Sequence, residues 1–338
     1  MVGQDLASIA QAMVAPGKGI LAADESSPTI KKRFDAIGTE STEENRRTYR
    51  EMLFTTPAMA DYISGVILFD ETIRQSRADG TPFAKFLGDL GVVPGIKVDK
   101  GAKPLAGFPG ETVTEGLDGL RERLEEYYSL GARFSKWRAV ITIGDAIPSG
   151  FCLRANAHAL ARYAALCQEA KIVPIVEPEV LMDGGHTLER CEVVTAAALD
   201  ALFEQLEAHR VDLTGIVLKP NMVISGTECA DRAGVQEVAE ATVRCLKAHV
   251  PDSVPGIAFL SGGQSAEEAT AHLGAMNALG NHPWQLTFSY GRALQAPALN
   301  AWKGDPANFE AGQKALFKRA KLNGLARQGE YSPSLEAA

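Results

Sequence analysis

Residues 215–220 read Gly-Ile-Val-Leu-Lys-Pro, a short apolar run that ends in a lysine followed by a proline. Near-continuous Val, Ile and Leu runs are typical of parallel strands that are buried on both faces. A lysine at the end of such a strand is costly to bury unless it has a partner or a task. The stretch therefore predicts a buried parallel strand that carries Lys219 into a polar site.

Seven further stretches of this kind occur along the chain, and longer amphipathic stretches alternate with them. The predicted strands are 18–24, 63–70, 95–99, 133–141, 172–179, 215–220, 256–261 and 285–290. The predicted helices are 42–62, 81–90, 113–130, 154–171, 188–209, 230–249, 266–279 and 309–322. This alternation favours an α/β fold in which the parallel strands and helices form a (βα)8 TIM barrel.

A doubly wound dinucleotide-binding sheet is the alternative fold, and no G-x-G-x-x-G follows the first predicted strand to support it. The sequence also has no linker that would separate two domains. We predict a single barrel domain over residues 1–328 and a flexible C-terminal tail over 329–338.

The composition disfavours several classes of protein. The formal net charge of -8 argues against a nucleic-acid or anionic-membrane partner. No apolar run approaches the roughly 20 residues that span a bilayer, and the N-terminus has no secretory signal. The 5 cysteines form no C-x-x-C pair, so we expect packing roles in a reduced compartment. These observations predict a cytoplasmic protein, with removal of a transit peptide left open.

Charged and hydroxyl residues stand where the predicted strands end. A (βα)8 barrel builds its active site at the C-terminal ends of its strands. The residues at these ends are Asp24, Lys97, Asp99, Lys136, Arg138, Glu177, Glu179, Lys219, Ser261 and Arg292. Any one of them alone is equally well explained as a capping charge or a surface ion pair. Their repetition predicts a site, because unpaired buried charges cost several kcal/mol each.

The lysines and carboxylates of this site predict amine catalysis. A nearby like charge and an apolar wall free an amine to attack a carbonyl. Lys219 is the best candidate nucleophile because its strand is otherwise apolar, although a lysine that snorkels at a strand end is the alternative. Lys136 and Lys97 are predicted to be charged partners. Carbonyl chemistry on an amine also needs acid–base groups, for which the candidates are Asp24, Glu177 and Glu179.

Two glycine-containing turns predict a phosphate site. Ser261-Gly262-Gly263 follows the seventh predicted strand, and Gly291-Arg292 follows the eighth. Backbone N–H groups and an arginine at these two loops of a barrel often bind phosphate. Ser26, Thr29 and Arg33 predict either a second phosphate site or a helix cap. The 6 histidines show no metal-ligand spacing, so no metal and no cofactor are predicted.

The segments that carry these residues resemble the class I (Schiff-base) fructose-bisphosphate aldolases over residues 1–333. The matching segments are GKGILAADES (17–26), GTESTEENRRTYR (38–50), PGIKVDKG (94–101), KWR (136–138), PIVEPEV (174–180), LKPNMV (218–223), FLSGGQS (259–265) and LTFSYGRALQ (286–295). The resemblance implies a lyase that reversibly cleaves fructose 1,6-bisphosphate to dihydroxyacetone phosphate and glyceraldehyde 3-phosphate in glycolysis and gluconeogenesis. It also implies a homotetramer.

The resemblance implies a role for each matching residue. Lys219 forms the Schiff base with the C2 carbonyl, Glu177 is the acid–base group, and Asp24 assists cleavage of the C3–C4 bond. Lys136 and Glu179 tune and orient the reacting centre. The implied substrate-binding residues are Lys97 and Arg138 for charged or hydroxyl groups, Ser261, Gly262, Gly291 and Arg292 for the C1 phosphate, and Ser26 and Arg33 towards the C6 phosphate.

Two departures from the family pattern affect these expectations. Ser27-Pro28-Thr29 stands where animal members commonly have Thr-Gly-Ser, and Pro28 restricts φ in the first loop. The tail lacks the C-terminal tyrosine that assists proton exchange on the enamine in many animal members. Whether Tyr331 or another group donates this proton is left open. The alternatives are a non-catalytic barrel that binds phosphosugars or cytoskeletal partners, and a metal-dependent aldolase.

Overall fold

The structure is a computed structural model in which residues 5–337 are described, and eight of its strands close into a parallel barrel in the order β1-β10-β9-β8-β7-β6-β3-β2. The strands are β1 (Gly19–Ala22), β2 (Ile63–Leu68), β3 (Val93–Lys97), β4 (Ala102–Pro104), β5 (Thr112–Thr114), β6 (Phe134–Ile141), β7 (Val173–Val180), β8 (Val217–Leu218), β9 (Gly256–Phe259) and β10 (Gln285–Tyr290). Each barrel strand overlaps one predicted strand. The prediction of a (βα)8 barrel is confirmed.

The helices surround the barrel and fill the connections between its strands. They are α1 (Leu6–Met13), α2 (Ser27–Asp35), α3 (Glu43–Phe54), α4 (Asp70–Ile73), α5 (Phe83–Asp89), α6 (Leu120–Ser129), α7 (Gly150–Glu169), α8 (Leu188–Ala208), α9 (Val235–His249), α10 (Ala266–Ala278), α11 (Arg292–Trp302) and α12 (Phe309–Arg327). Short 3-10 turns lie at Met59–Asp61, Leu213–Gly215, Pro306–Asn308 and Pro333–Ala337. No helix within residues 5–337 is long and apolar enough to cross a membrane.

Two predicted helices differ most from the observed bounds. The helix predicted over 42–62 ends at Phe54, because Pro57 follows and Ala58 adopts a left-handed φ of 57°. The helix predicted over 113–130 begins only at Leu120. Its first residues belong to β5, which pairs with β4 in an antiparallel hairpin that was not predicted. Thr114 anchors this hairpin to the barrel, since its hydroxyl donates to the carbonyl of Arg138 at 2.7 Å.

Two large apolar cores hold the barrel in place, and a third, small cluster consists of Ile141, Val180, Val194 and Ala198. The larger core lies between the strands and the surrounding helices. The smaller core closes the N-terminal end of the barrel, where Ile9 and Met13 of α1 pack against inward-facing residues such as Ile20, Val93 and Val173. This end of the barrel is therefore filled with apolar side chains, which leaves the opposite end for polar ones.

The predicted boundary between a domain over 1–328 and a flexible tail over 329–338 stays a prediction, and residues 1–4 and 338 lie outside the described part. Within that part the C-terminal segment contacts α12. Arg319 Nη1 donates to both oxygens of Glu336, at 2.6 and 2.7 Å. The Tyr331 hydroxyl donates to Glu336 Oε1 at 3.0 Å. Four of the five cysteines are buried in helices, as expected for packing roles, whereas Cys229 is half-buried in the loop before α9.

Candidate active site

One cavity of about 300 Å³ at the C-terminal end of the barrel contains every residue for which a catalytic or substrate-binding role was predicted, whereas the strand-end residue Asp99 lines an adjoining cavity. The residues with predicted roles are Asp24, Ser26, Arg33, Lys97, Lys136, Arg138, Glu177, Glu179, Lys219, Ser261, Gly262, Gly291 and Arg292. A larger cavity of about 550 Å³ lies elsewhere, and one of about 500 Å³ adjoins the site and shares Ser26 and Lys97 with it. The smaller cavity is the candidate site, because it alone among the three contains Lys136, Glu177 and Lys219, which are buried and charged.

Glu177 stands at the centre of this cavity, between two lysines. Its Oε1 lies 3.1 Å from Lys219 Nζ, and its Oε2 lies 3.3 Å from Lys136 Nζ. Lys136 also donates a hydrogen bond to Asp24 Oδ2 at 2.9 Å. These four side chains come from β6, β7 and the ends of β1 and β8, and the relative exposure of each side chain is 11% or less.

The charges of this group support one another. Burial alone would raise the pKa of Asp24 and that of Glu177, but Lys136 and Lys219 outweigh burial and lower both. Burial alone would lower the pKa of Lys136, but Asp24 and Glu177 outweigh it and raise that pKa well above its usual range. Lys136 is therefore held as an ammonium group, which fits a charged partner better than a nucleophile.

One carboxylate oxygen of Glu177 has no hydrogen bond. Its Oε2 is buried and accepts no hydrogen bond from the described residues, because the contact with Lys136 lacks hydrogen-bond geometry. A buried acceptor without a donor is costly unless something else occupies it. This oxygen is therefore available to a substrate hydroxyl or to a proton.

Two further ion pairs line the wall of the cavity. Lys97 Nζ donates to Asp99 Oδ1 at 2.7 Å, as the sequence predicted for a charged partner. Arg138 donates to Glu179. Burial alone would lower the pKa of Arg138, but Glu179 outweighs it and raises that pKa. Both pairs place a cation at the cavity wall in a fixed position.

The loops after β9 and β10 form a corner that can bind an anion. Gly262 has a left-handed φ of 56°, which glycine adopts without strain, and its carbonyl accepts from Arg292 Nη2 at 2.5 Å. Gly263 N donates to Met182 Sδ at 2.9 Å, so Met182 supports this turn from behind. Arg292 is the first residue of α11, and a helix start favours an anion.

Arg33 reaches the same corner from α2. A Cβ placed on Gly291 would lie 3.9 Å from Arg33 Nη2. Glu25 pairs with Arg33 and also binds Arg50 Nη2 at 2.6 Å. Gln295 Nε2 of α11 donates to Glu25 Oε1 at 2.7 Å. This network joins the loop after β1 to the helix that begins with Arg292.

Five cavity residues were not among the predicted site residues: Ala22, Glu25, Thr29, Leu260 and Ser289. For Thr29 the sequence predicted only a helix cap or a ligand of a second phosphate. Ser289 is 1% exposed, and its hydroxyl has no hydrogen-bond partner in the described part of the chain. The period-two alternation of β10 could have found Ser289, since Phe288 and Tyr290 beside it belong to the outer core.

Among residues 5–337, no three His, Cys, Asp or Glu side chains lie close enough together to hold a metal ion. His186 is buried in the loop after β7. Burial lowers its pKa.

Comparison with known proteins agrees with this geometry. The family model described as "Fructose-bisphosphate aldolase class-I" matches residues 5–338. A probable fructose-bisphosphate aldolase class 1 from Xanthomonas campestris pv. campestris is 64% identical over 329 residues, which cover 97% of this chain and 98% of that protein. Fructose-bisphosphate aldolase C from Carassius auratus is 54% identical over 333 residues, which cover 98% and 92% of the two chains.

A solved structure gives the same result in three dimensions. The Plasmodium falciparum fructose-bisphosphate aldolase, crystallised in complex with TRAP and a small-molecule inhibitor, superposes with a TM-score of 0.95 at 51% identity. The match covers 97% of this chain and 95% of that one. Both the fold and the family that the sequence predicted are therefore confirmed, and the chain belongs to the class I fructose-bisphosphate aldolases, which are Schiff-base lyases.

Proposed function

We propose that Lys219 is the amine through which this class I aldolase cleaves fructose 1,6-bisphosphate to dihydroxyacetone phosphate and glyceraldehyde 3-phosphate. The observation that supports the proposal best is the 3.1 Å separation of Lys219 Nζ from Glu177 Oε1. A nucleophilic lysine needs a base at this distance to take its proton. Lys136 is at a similar distance from Glu177, but its second carboxylate partner, Asp24, holds it as an ammonium group.

The first half of the reaction forms the Schiff base. Lys219 passes a proton to Glu177, and the free amine attacks the C2 carbonyl to form a carbinolamine. Glu177 returns the proton to the carbinolamine hydroxyl, which leaves as water. The C2–O bond breaks in this step and a C2=N bond forms, so Glu177 ends as a carboxylate.

Cleavage then follows from the same groups. Glu177 takes the proton of the C4 hydroxyl, the C3–C4 bond breaks, and its electron pair moves into the iminium to form an enamine. The aldehyde product is released. We propose that Asp24 and Lys136 hold the substrate hydroxyls, because their hydrogen-bonded pair lies beside Glu177. Glu179 orients this wall through its pair with Arg138.

The second product is released after the enamine takes a proton at C3 and water hydrolyses the iminium. Glu177 holds a proton at this stage, because it has just accepted one from the C4 hydroxyl. It lies in the cavity, whereas the Tyr331 hydroxyl donates to Glu336. We therefore propose that a cavity carboxyl supplies this proton and that Tyr331 does not.

The two phosphates are proposed to occupy two different parts of the cavity. Ser261, Gly262, Gly291 and Arg292 form the corner proposed for the C1 phosphate. Ser26 and Arg33 are proposed to face the C6 phosphate, with Lys97 and Arg138 between the two ends. Arg33 also lies close to Gly291, so its guanidinium can contribute to the C1 corner before or after cleavage.

We also propose a homotetramer in the cytoplasm. The assembly is proposed from the usual state of the family, and apolar side chains such as Phe151 and Val193 are exposed at 47% and 61% on this chain. Light scattering after gel filtration measures the assembly: a mass of four chains supports the proposal, and a mass of one chain contradicts it.

Mutation of Lys219 tests the catalytic proposal. Lys219→Ala should abolish cleavage of fructose 1,6-bisphosphate while the far-UV circular dichroism and melting profile stay close to those of the unmodified protein. EDTA should leave the unmodified enzyme fully active. Wild-type turnover in Lys219→Ala would make Lys136 the candidate nucleophile, and loss of activity with EDTA would favour the metal-dependent alternative. The non-catalytic alternative predicts no cleavage by the unmodified protein.

A further inference from the structure

The hydrogen-bond ladder between β7 and β8 stops beside the reacting groups. The two strands pair at Ile175–Val217 and Val176–Leu218, and Lys219 N donates to the Val176 carbonyl at 2.8 Å. Every second residue of a parallel strand takes part in the ladder on one side. The next such residue of β7 is Pro178, which has no N–H to donate.

A second proline, Pro220, follows Lys219 directly and also lacks an N–H. It faces the other neighbour, where its carbonyl accepts from Leu260 N at 3.2 Å just after β9. Glu177, Glu179 and Lys219 are therefore each next to a proline, and the ladder between β7 and β8 ends where Pro178 offers no N–H. Other contacts are needed there to hold the two chain segments at a fixed separation.

Asn221 makes the contact that replaces the missing ladder. Its Oδ1 accepts a hydrogen bond from Val180 N at 3.0 Å, so a side-chain carbonyl occupies the place of a backbone acceptor. Its Nδ2 donates to Met222 O and to Thr195 Oγ1, each at 3.0 Å. The side chain thus joins the end of β7, the segment after Lys219 and helix α8.

The amide is held rigidly and does not line the cavity. Asn221 is 5% exposed and Thr195 is 2% exposed. The residues that line the cavity include Lys219 but not Asn221. A buried amide that bridges three elements fixes their relative position, because each of its hydrogen bonds is costly to leave unmade.

We infer that Asn221 is a positioning residue which sets the separation between the Lys219 amine and the Glu177 carboxylate. This inference rests on the proposed roles of those two residues. Loss of the amide should let the end of β7 move relative to Lys219, and a misplacement of about 1 Å can cost about 100-fold in rate. The phosphate corner belongs to the loops after β9 and β10, so substrate affinity should change little.

The test compares two buried asparagines. Asn221→Leu removes the amide but keeps the side-chain size. Asn323→Leu is the matched control, since Asn323 is 0% exposed, accepts from Thr270 Oγ1 at 3.1 Å and lies on α12 outside the cavity. Both variants lose buried hydrogen bonds, so both should be destabilised, but only the first should change catalysis. Steady-state rates and the rate of borohydride trapping with dihydroxyacetone phosphate are measured for each.

Asn221→Leu should lower kcat about 100-fold with KM within about threefold, and should slow trapping to a similar extent. Asn221→Asp keeps the acceptor for Val180 N and should recover at least about tenfold of the lost kcat. Asn323→Leu should keep kcat within about twofold. Should Asn221→Leu not fold, Thr195→Val loses only the hydrogen bond from Asn221 Nδ2 and a 3.8 Å contact with Cys191 Sγ. It should lower kcat about threefold or more at unchanged KM.

The two hypotheses fail in different ways. Trapping of the unmodified enzyme at a residue other than Lys219 would overturn the proposed function. Trapping at Lys219 in the unmodified enzyme, together with equal kcat values for the Asn221→Leu and Asn323→Leu variants, would overturn the positioning role of Asn221 alone. If Asn221→Leu does not fold, an unchanged kcat in Thr195→Val would also overturn the positioning role of Asn221.

Discussion

Lys219 Nζ lies 3.1 Å from Glu177 Oε1, and both side chains are more than nine-tenths buried. A carboxylate this close to an amine can take its proton and return it to an oxygen of the substrate. Because Glu177 also faces Lys136, its proton affinity is set by two cations at once. The reactivity of the site therefore depends on a small cluster whose members can be changed one at a time.

Glu177→Gln should lower kcat by about 10²- to 10⁴-fold, because the amide keeps the size of the side chain but cannot carry a proton. The KM for fructose 1,6-bisphosphate should change little, since the phosphate corner is untouched. Steady-state kinetics of cleavage measure both constants. A kcat within tenfold of the unmodified enzyme would assign the acid–base role to another carboxylate, and Asp24→Asn would be the next variant to measure.

Lys136→Met should move the acid limb of the pH profile. Lys136 lowers the pKa of Glu177 and of Asp24 against the opposing effect of burial, so its removal should raise both pKa values. The kcat/KM that remains in the Lys136→Met variant should therefore begin to fall at a higher pH than that of the unmodified enzyme as the solution is acidified. An acid limb at the same pH in both proteins would show that Lys136 does not control the catalytic carboxylates.

Met182→Leu should weaken substrate binding without slowing chemistry. The sulfur accepts from Gly263 N at 2.9 Å and packs behind the turn proposed for the C1 phosphate. Leucine fills a similar volume but leaves this N–H without its acceptor, which costs about 1 kcal/mol. KM should rise about threefold to tenfold while kcat stays within about twofold. A lower kcat at unchanged KM would contradict this assignment.

Tyr331→Phe should leave enamine protonation unchanged. The Tyr331 hydroxyl donates to Glu336, and burial together with that carboxylate raises the pKa of Tyr331 to about 12. Exchange of the C3 proton of dihydroxyacetone phosphate with deuterium, followed by NMR, should stay within about twofold of the unmodified rate. A tenfold loss of exchange with normal Schiff-base formation would identify Tyr331 as the donor.

His272 should make stability depend on pH between about 6.5 and 4. Burial lowers the pKa of His272 to about 4 from an ordinary value of 6.5. The stability that the uncharged His272 ring contributes is fully present above the unfolded pKa of 6.5, and it is lost as the pH falls through the folded pKa of about 4. Between pH 7 and pH 5 the loss should be about 2 kcal/mol. Urea unfolding of His272→Gln should show a pH dependence smaller by that amount, and an equal dependence in both proteins would contradict the shift.

The barrel and its site were predictable because few residues carry the necessary information. Eight apolar runs that end in polar residues predict parallel strands, and the C-terminal ends of such strands meet at one end of a barrel. Lys97, Lys136, Glu177 and Lys219 therefore line a single cavity although they are far apart in sequence. Their distances were not predictable, since these depend on the register between neighbouring strands.

The features that were missed depend on tertiary contacts. The hairpin of β4 and β5 follows from bonds such as that between Thr114 and the carbonyl of Arg138, which no local pattern reveals. The position of Arg33 beside Gly291 was not predictable either, because it results from the packing of α2 against the barrel, and its assignment to the C6 phosphate stays a proposal. Asn221 resembles an ordinary loop residue in the sequence. Its role becomes visible only in the structure, where its side chain bonds Val180 N beyond the point at which Pro178 ends the β7–β8 ladder.

Borohydride reduction with dihydroxyacetone phosphate, followed by peptide mass mapping, tests the central claim most directly. The reductant converts a Schiff base into a stable secondary amine, so the labelled lysine is the one that attacked the carbonyl. Stoichiometric labelling of Lys219, with no label on Lys136 or Lys97, is the predicted result. Labelling of Lys136 in its place, or no labelled lysine in an active enzyme, would contradict the account.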